Sequence, residues 1–243
     1  MKNQYITAHI RSIHKETDNV KTFVLDTSLP SEPGQYVMVW IPQKNEKPFG
    51  IVSPDPLTLT IAQVGPFTKE IHRLKIGDLM TFRGPYGSPF HYDSGNYLLV
   101  GGGYGIVPLF FLASRILKKK KSTVTVVIGA KTKRDLVFLN RFKELGCSTY
   151  ASTDDGTFGE KGFAGNMVKK LLEKKSFKKI YTCGPRPMME QVVILAEKYH
   201  IPSEVSMESF FKCGGIGLCG ECSLKGKLVC KDGPVFDGTL LIP

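Results

Sequence analysis

Six cysteines occur in this 243-residue chain, and four of them, Cys213, Cys219, Cys222 and Cys230, fall close together. Their spacing is Cys213-x5-Cys219-x2-Cys222-x7-Cys230. Four thiolates so placed suit zinc or an iron–sulfur cluster. The residues between them favour the second. Gly214, Gly215, Gly217 and Gly220 crowd the loop. Inorganic sulfide is anionic and favours backbone N–H groups aimed inward; glycine permits the close approach and positive φ that this needs. A zinc ribbon more often shows two separated C-x2-C pairs, and only one is present. A [2Fe–2S] cluster is the expected occupant, with structural zinc or no metal as the alternatives. Cys147 and Cys183 stand apart from the group.

Two patterns precede these cysteines. Residues 4 to about 90 hold the β-rich runs ITAHIRSIHK, VKTFVLDT, QYVMVWIP and LTLTIAQV, separated by Pro- and Gly-rich breaks. Short strands at this spacing predict a small antiparallel barrel, with one helical stretch around Thr68 to Leu74. The pattern changes near Gly95. YLLVGGG reads as a buried parallel strand, VPLFFLASRIL as helix, TVTVVIGA as strand, RDLVFLNRFKEL as helix, SFKKIYTCG as strand and RPMMEQVVILAEKY as helix. Such alternation implies a parallel sheet with crossover helices. The expected organisation is an antiparallel Greek-key β-barrel over residues 1–93, a parallel-sheet nucleotide-binding α/β domain over 94–205, and a small cluster segment over 206–243.

Apolar residues make up 42% and charged residues 23%, as in ordinary soluble domains. No apolar run is long enough to span a bilayer, and MKNQYITAHIRS lacks the apolar stretch of a signal peptide. A cytoplasmic location without membrane contact is expected. The net charge of +11, from 33 basic and 22 acidic side chains, is spread widely, and no nucleic-acid partner is expected. The densest run, Lys118 to Lys121, reads as a solvated helix C-terminus favoured by the helix dipole. A docking patch for an acidic partner or phosphate is the alternative. His9, His14, His72, His91 and His200 are scattered and read as structural or surface residues, so no catalytic acid–base residue is expected.

Gly101-Gly102-Gly103-Tyr104-Gly105-Ile106-Val107-Pro108 lies between a predicted strand and a predicted helix. It is not G-x-G-x-x-G, yet the logic is the same: glycines let a pyrophosphate approach a helix N-terminus. A tight turn that binds nothing is the alternative. Thr153-Asp154-Asp155-Gly156 reads most simply as an Asx-type turn. The sharper reading sets Asp154 against an adenosine ribose, where a carboxylate bonds a 2′-hydroxyl and repels a 2′-phosphate, favouring NAD over NADP.

The segment ESFFKCGGIGLCGECSLKGKLVCKDGPVFDG resembles the cluster segment of the electron-transfer subunits of B-type dihydroorotate dehydrogenase, including the closing CKDGPVFDG. That family binds FAD and one [2Fe–2S] cluster. It usually places four residues between the first two ligands, where this chain has five, Gly214 to Leu218. Barrel followed by α/β domain resembles the ferredoxin-reductase superfamily over nearly the whole chain, and that superfamily stacks FAD between its two domains. The likeness implies flavin contacts at Lys47-Pro48-Phe49-Gly50: Phe49 against the ring, Lys47 as a point charge for the pyrophosphate, and the Gly50 N–H where the family often has a hydroxyl. Taken alone, this tetrapeptide reads as a Pro-containing turn between strands. Thr60-Ile61-Ala62 would line the flavin with backbone groups. Gly65-Pro66-Phe67-Thr68 resembles a Gly-x-x-Thr turn, with Thr68 expected as N-cap of a short helix. Gly84-Pro85-Tyr86-Gly87 resembles the turn that closes the barrel.

In the α/β domain, Gly102, Gly103 and Gly105 fall in the superfamily's Gly-Gly-x-Gly-x-x-Pro motif. Cys183-Gly184-Pro185-Arg186-Pro187-Met188 resembles its Cys-Gly-Pro-x-x-Met motif beside the nicotinamide. Cys183 by itself reads as a buried apolar residue. The resemblance implies an electron relay in pyrimidine biosynthesis. An FMN-containing dihydroorotate dehydrogenase catalytic subunit, joined in a heterotetramer, would pass electrons through [2Fe–2S] to FAD and on to NAD⁺. Flavin and iron–sulfur subunits of ferredoxin–NADP, hydrogenase or sulfite-reductase type are the nearest alternative. Some of these replace the first ligand with Asp, so Cys213 favours the dihydroorotate type. A zinc-stabilised binding module is the remaining reading.

Overall fold

The computed structural model describes residues 4–242. They group into two compact units: residues up to Pro89 with Glu208–Pro234, and Phe90–Met207 with the residues from Val235 on. In the first unit, β1 (Ile6–Lys15), β2 (Val20–Leu25), β3 (Tyr36–Trp40), β4 (Glu46–Pro54), β5 (Leu57–Ala62) and β6 (Leu79–Tyr86) close a barrel in the order β1-β2-β5-β4-β3-β6. All pairs are antiparallel. The non-sequential neighbours β2–β5 and β3–β6 make the connections Greek-key in type. Alternation supplies the core: Phe23, Leu25, Val37, Leu59, Ile61 and Phe82 are fully buried.

Helix α1 (Pro66–Arg73) follows β5. It begins two residues earlier than the expected stretch, because Pro66 suits the first helical position. His72 Nε2 lies 2.8 Å from the Ile61 carbonyl, and Lys21 Nζ donates to the His72 carbonyl at 2.8 Å, so the helix is held to the barrel.

The turn reading of Lys47-Pro48-Phe49-Gly50 is corrected: the four residues lie inside β4. Only β3 pairs with them, as in Val39↔Lys47 and Met38↔Pro48, and pairing with β5 starts at Ile51↔Leu59. A stretch paired on one side needs donors on one side only, which is where a strand accepts proline.

In the second unit, β7 (Asn96–Gly102), β8 (Thr123–Ala130), β9 (Ser148–Thr153), β10 (Glu160–Lys161), β11 (Lys179–Cys183) and β12 (Ser203–Ser206) form a parallel sheet in the order β10-β9-β8-β7-β11-β12. Helices α2 (Val107–Leu117), α3 (Leu139–Glu144), α4 (Ala164–Leu172) and α5 (Arg186–Lys198) connect the strands. Leu98, Val100, Val127, Val168, Ile180 and Val192 pack in one core.

The continuous helix expected over RDLVFLNRFKEL is instead a 3₁₀ turn, Lys133–Asp135, and the six-residue α3. Phe138 between them adopts φ 64°. Its ring meets Phe110 edge-on at 5.3 Å, and Val137 and Phe138 are buried, so tertiary packing overrides the local pattern. Helix α4 and strand β12 were not expected. The buried positions Ala164, Val168, Leu171 and Leu172 do recur at helical spacing.

After β12 the chain runs through the short hairpin β13 (Ser223–Leu224) and β14 (Lys227–Leu228) and the single turn α6 (Val229–Asp232). It then adds β15 (Val235–Asp237) to β12, antiparallel, as an edge of the sheet. No helix among the described residues is long and apolar enough to cross a membrane.

Strand order reverses between β7 and β11, which defines the crevice where such sheets bind ligands. The turns after these strands touch. A Cβ on Gly102 would lie 2.7 Å from Pro185 Cδ, and one on Gly105 would lie 2.6 Å from Gly184 Cα. Gly105→Ala is therefore expected to destabilise the protein by about 1–3 kcal/mol, because the obstructing atoms are backbone. Thermal denaturation checks this, and an unchanged Tm would contradict it.

Candidate electron-transfer site

The four cysteines sit at different depths: Cys219 is exposed, Cys213 half-buried, and Cys222 and Cys230 buried. The seven-residue gap between Cys222 and Cys230 is filled by the β13–β14 hairpin and the start of α6. Lys225 and Gly226 turn the hairpin at φ 45° and 80°. This returns the chain so that the Val229 N–H donates to the Cys222 carbonyl at 3.1 Å and the Cys230 N–H to Cys222 Sγ at 3.5 Å.

The five-residue gap after Cys213 is a different device. Gly214, Gly215 and Gly217 take φ values of 70°, 79° and 80°, which wrap the loop around the first sulfur. The backbone N–H groups of Cys219, Leu218 and Ile216 and the Cys219 thiol hydrogen-bond to Cys213, and its thiol is pulled down to about 6. Cys230 goes the other way. Burial and the adjacent Cys222 push it up to about 12. The sulfurs thus associate as two pairs, Cys213 with Cys219 and Cys222 with Cys230. No three His, Cys, Asp or Glu side chains among the described residues converge as ligands of a single ion. A [2Fe–2S] cluster takes two thiolates on each iron, and a nest of N–H groups suits its sulfur charge, so the residues present fit that group.

The barrel supplies the seat. Tyr36 donates its hydroxyl proton to the Cys230 carbonyl at 2.9 Å, and burial raises the pKa of that hydroxyl, keeping it a donor. Arg83 donates Nε to Glu46 Oε2 at 2.9 Å, Nη1 to Tyr86 Oη at 2.8 Å, and Nη2 to the Gly214 carbonyl. Met38 Sδ and Tyr36 Oη stand 3.5 Å from where a Cβ on Gly215 would lie. Sequence reasoning missed Tyr36, Glu46, Arg83 and Tyr86 as a group. Barrel pairing alone brings them together, and the only local hint was an arginine preceding Gly84-Pro85-Tyr86-Gly87.

A cavity of about 610 Å³ opens beside Cys213, with Trp40, Lys47, Phe210 and Ile216 in its wall. Lys47 Nζ lies 3.7 Å above the Phe210 ring, and burial lowers its pKa. Pro48 and Gly50 are half-buried on the open edge of β4, and Phe49 stacks on Phe67 with centroids 6.3 Å apart. Thr60 shares a 2.8 Å hydroxyl contact with Thr22, and Ile61 and Ala62 are buried.

Thr68 is not the N-cap of α1. Gly65 holds that position, and the Thr68 hydroxyl accepts the N–H groups of Val64 and Gly65 at 2.9 and 3.1 Å. Pro66 has no N–H, which leaves those of Phe67 and Thr68 as the donors of the first turn. A Cβ on Gly65 would meet nothing within 4 Å, so the space before this turn is open to an anion.

At the sheet crevice the glycines divide their work. Gly101, Gly102 and Gly105 are required by packing within the protein, whereas Gly103, at φ 55°, faces open space. Cys183 is fully buried, and Gly184 and Pro185 form the opposing turn. Asp155, not Asp154, closes the Asx turn, accepting from Thr157 N and Oγ1 at 2.9 and 2.7 Å. Asp154 is exposed at the end of β9, two strands from β7, or about 9.5 Å at the usual strand spacing.

A Greek-key barrel, a parallel nucleotide-binding sheet and a four-cysteine loop together define a ferredoxin-reductase-like oxidoreductase with an iron–sulfur segment. Residues 99–193 match the oxidoreductase NAD-binding domain family, and residues 208–242 match the iron–sulfur cluster binding domain of dihydroorotate dehydrogenase B. The chain is 44% identical over 238 residues to a probable dihydroorotate dehydrogenase B (NAD(+)) electron transfer subunit of Methanocaldococcus jannaschii, covering 97% of this chain and 91% of that protein. It is 36% identical to the Thermococcus kodakarensis protein of the same description, covering 98% of each. Among solved structures, the NADH-dependent reduced ferredoxin–NADP oxidoreductase aligns with TM-score 0.83 and 30% identity, over 95% of this chain and 88% of that one. Phthalate dioxygenase reductase, at TM-score 0.68 and 17% identity over 80% of this chain and 65% of that one, shares the fold. The chain belongs to the family of dihydroorotate dehydrogenase B electron-transfer subunits.

The thiol environments make a pH prediction for cluster-free protein. Alkylation of Cys213 is expected to rise through pH 6 and level off by neutrality, while Cys230 stays unreactive throughout. Mass spectrometry after timed iodoacetamide treatment measures this. A Cys213 rate that climbs only near the free-thiol value of about 8.5 would contradict it.

Proposed function

We propose that this chain relays electrons from an FMN-containing dihydroorotate dehydrogenase catalytic subunit, through a [2Fe–2S] cluster and FAD, to NAD⁺. It does so in the cytoplasm, as part of pyrimidine biosynthesis and within a heterotetramer. The observation that carries this reading is the pairing of Cys213 with Cys219 and Cys222 with Cys230 under a nest of backbone N–H groups. When bound, the flavin supplies the exchange between one-electron and two-electron chemistry.

The chain's own residues bind and orient. Cys213, Cys219, Cys222 and Cys230 hold the cluster. Lys47, Pro48, Phe49 and Gly50 on the open edge of β4 receive the flavin, with Thr60, Ile61 and Ala62 beside it. Gly65, Phe67 and Thr68 present the first turn of α1 to its phosphates. Gly102, Gly103 and Gly105 shape the nucleotide crevice, opposite Cys183, Gly184 and Pro185. Asp154 reads the adenosine ribose. No acid–base residue is required, because the chemistry consists of electron and hydride transfer.

The likeness to the ferredoxin–NADP oxidoreductase structure supports a second reading, a flavin and iron–sulfur subunit of that type. One experiment separates the two. Co-purified anaerobically with the catalytic subunit, the protein is expected to show flavin and iron–sulfur absorbance and dihydroorotate-dependent NAD⁺ reduction. Cys222→Ser is expected to remove the acid-labile sulfide and this activity. NADPH exchange with reduced ferredoxin, without any response to dihydroorotate, would favour the second reading. A colourless protein holding one zinc and no sulfide would defeat both. NAD(H) is expected to be preferred over NADP(H) by roughly tenfold or more, and Asp154→Asn to narrow that ratio. Equal catalytic efficiencies in the unmodified protein would remove Asp154 from the ribose site.

A further inference from the structure

We propose that the Glu46–Arg83 ion pair positions the cluster loop and balances its charge, Arg83 raising the cluster's reduction potential and Glu46 opposing it. The inference rests on the reading that the four cysteines hold a [2Fe–2S] cluster. Glu46 opens β4 and Arg83 lies in β6, and their side chains are 12% and 9% exposed. Surface ion pairs contribute little, but this one is enclosed and directed. Arg83 Nε is 3.1 and 2.9 Å from the two Glu46 carboxylate oxygens, and Nη1 is committed to Tyr86. Nη2 serves Glu46 and also the carbonyl of Gly214, the residue directly after Cys213.

A peptide unit carries its C=O and N–H on opposite sides. Fixing the Gly214 carbonyl on Arg83 therefore turns the Gly215 N–H away from the guanidinium. Gly214 can present its carbonyl this way because it adopts φ 70°. Arg83 is thus a positioning residue: it touches the loop and not the thiolates.

Its charge acts as well. Reduction adds one electron to the cluster, with no bond made or broken, so the negative charge of the site increases. A guanidinium beside the first ligand favours that change and a carboxylate opposes it, with little screening because both are enclosed. The other nearby cations, Lys47 and Lys212 in the cavity wall and Lys231 beside Gly217, are untouched by changes at 46 and 83. The two halves of the pair should therefore move the potential in opposite directions, which a purely structural anchor would not do.

The test uses the full chain purified anaerobically, with wild type, R83Q, E46Q, R83K and R83Q/E46Q compared. Iron and acid-labile sulfide are measured per chain, and the cluster midpoint by an EPR-monitored redox titration. R83Q leaves the carboxylate uncompensated and is expected to lower the equilibrium constant for reduction about tenfold, or about 59 mV for one electron. E46Q leaves the guanidinium uncompensated and is expected to raise it by a similar factor. The double variant is expected within about threefold of wild type, since the two opposite shifts cancel and any coupling between these neighbours leaves only a small remainder. R83K keeps the charge but loses the fork, so its potential should stay near wild type while cluster content falls.

Shifts of the same sign in R83Q and E46Q, or no shift in either, would overturn the proposal. So would an R83K shift as large as that of R83Q. If R83Q retains no cluster, E46Q still decides the sign: a raised potential supports the proposal, and a lowered or unchanged one overturns it. Wild-type protein without iron and sulfide would overturn the cluster reading itself, and this proposal with it.

Discussion

The cysteine segment depends on the outer face of the barrel. Between Glu208 and Pro234 its regular structure amounts to two two-residue strands and a single helical turn. So little structure cannot enclose a core of its own. Arg83 donates to the Gly214 carbonyl just after Cys213, and Tyr36 donates to the carbonyl of Cys230. Two buried donors on neighbouring strands thus fix both ends of the four-cysteine segment. Removing one partner of an enclosed ion pair typically costs about 3–5 kcal/mol, so Glu46 and Arg83 stabilise this seat only as a pair. The polar network is the condition for the loop's geometry, and the glycines then bend the backbone over the sulfur.

The α/β unit obeys a different constraint, close backbone approach. The turns after β7 and β11 meet where the sheet order reverses. Gly101 faces Ile106, Gly102 faces Pro185 and Met188, and Gly105 faces Gly184, each too near for a Cβ. Glycines that a motif assigns to a phosphate are here demanded first by the packing of one turn on another. Gly103 alone is left looking outward. The crevice is shaped by residues that need never touch a ligand, and this fixes where a ligand can lie.

The elements that were legible are those whose signal is local. Barrel strands showed alternation, the parallel strands showed short apolar runs, and the four clustered cysteines stood out by type and spacing. What could not be read depends on distant partners. Lys47-Pro48-Phe49-Gly50 carries turn chemistry, yet its pairing with Val37 to Val39 and Tyr36 makes it strand. Phe138 breaks an apparently continuous helix because Phe110 and the core take its ring. Asp154 and Asp155 are equivalent by sequence, and only the bonds from Thr157 distinguish them. Glu46 and Arg83 are 37 residues apart in sequence, with β5 and α1 between their strands, so no spacing rule links either to Gly214.

The course of the chain adds a last constraint. Ser206 and Val235 are partners across β12 and β15, so the cysteine segment leaves and re-enters the same sheet edge. It is a closed excursion and not a tail. Closing such a loop costs entropy that grows only slowly with its length, about 0.6 kcal/mol per doubling, so a long segment can be pinned at both ends at little extra cost. Within its own unit, the barrel contacts at Gly214 and Cys230 restrict the segment. The sulfur pairs are therefore brought close by the fold of the chain itself.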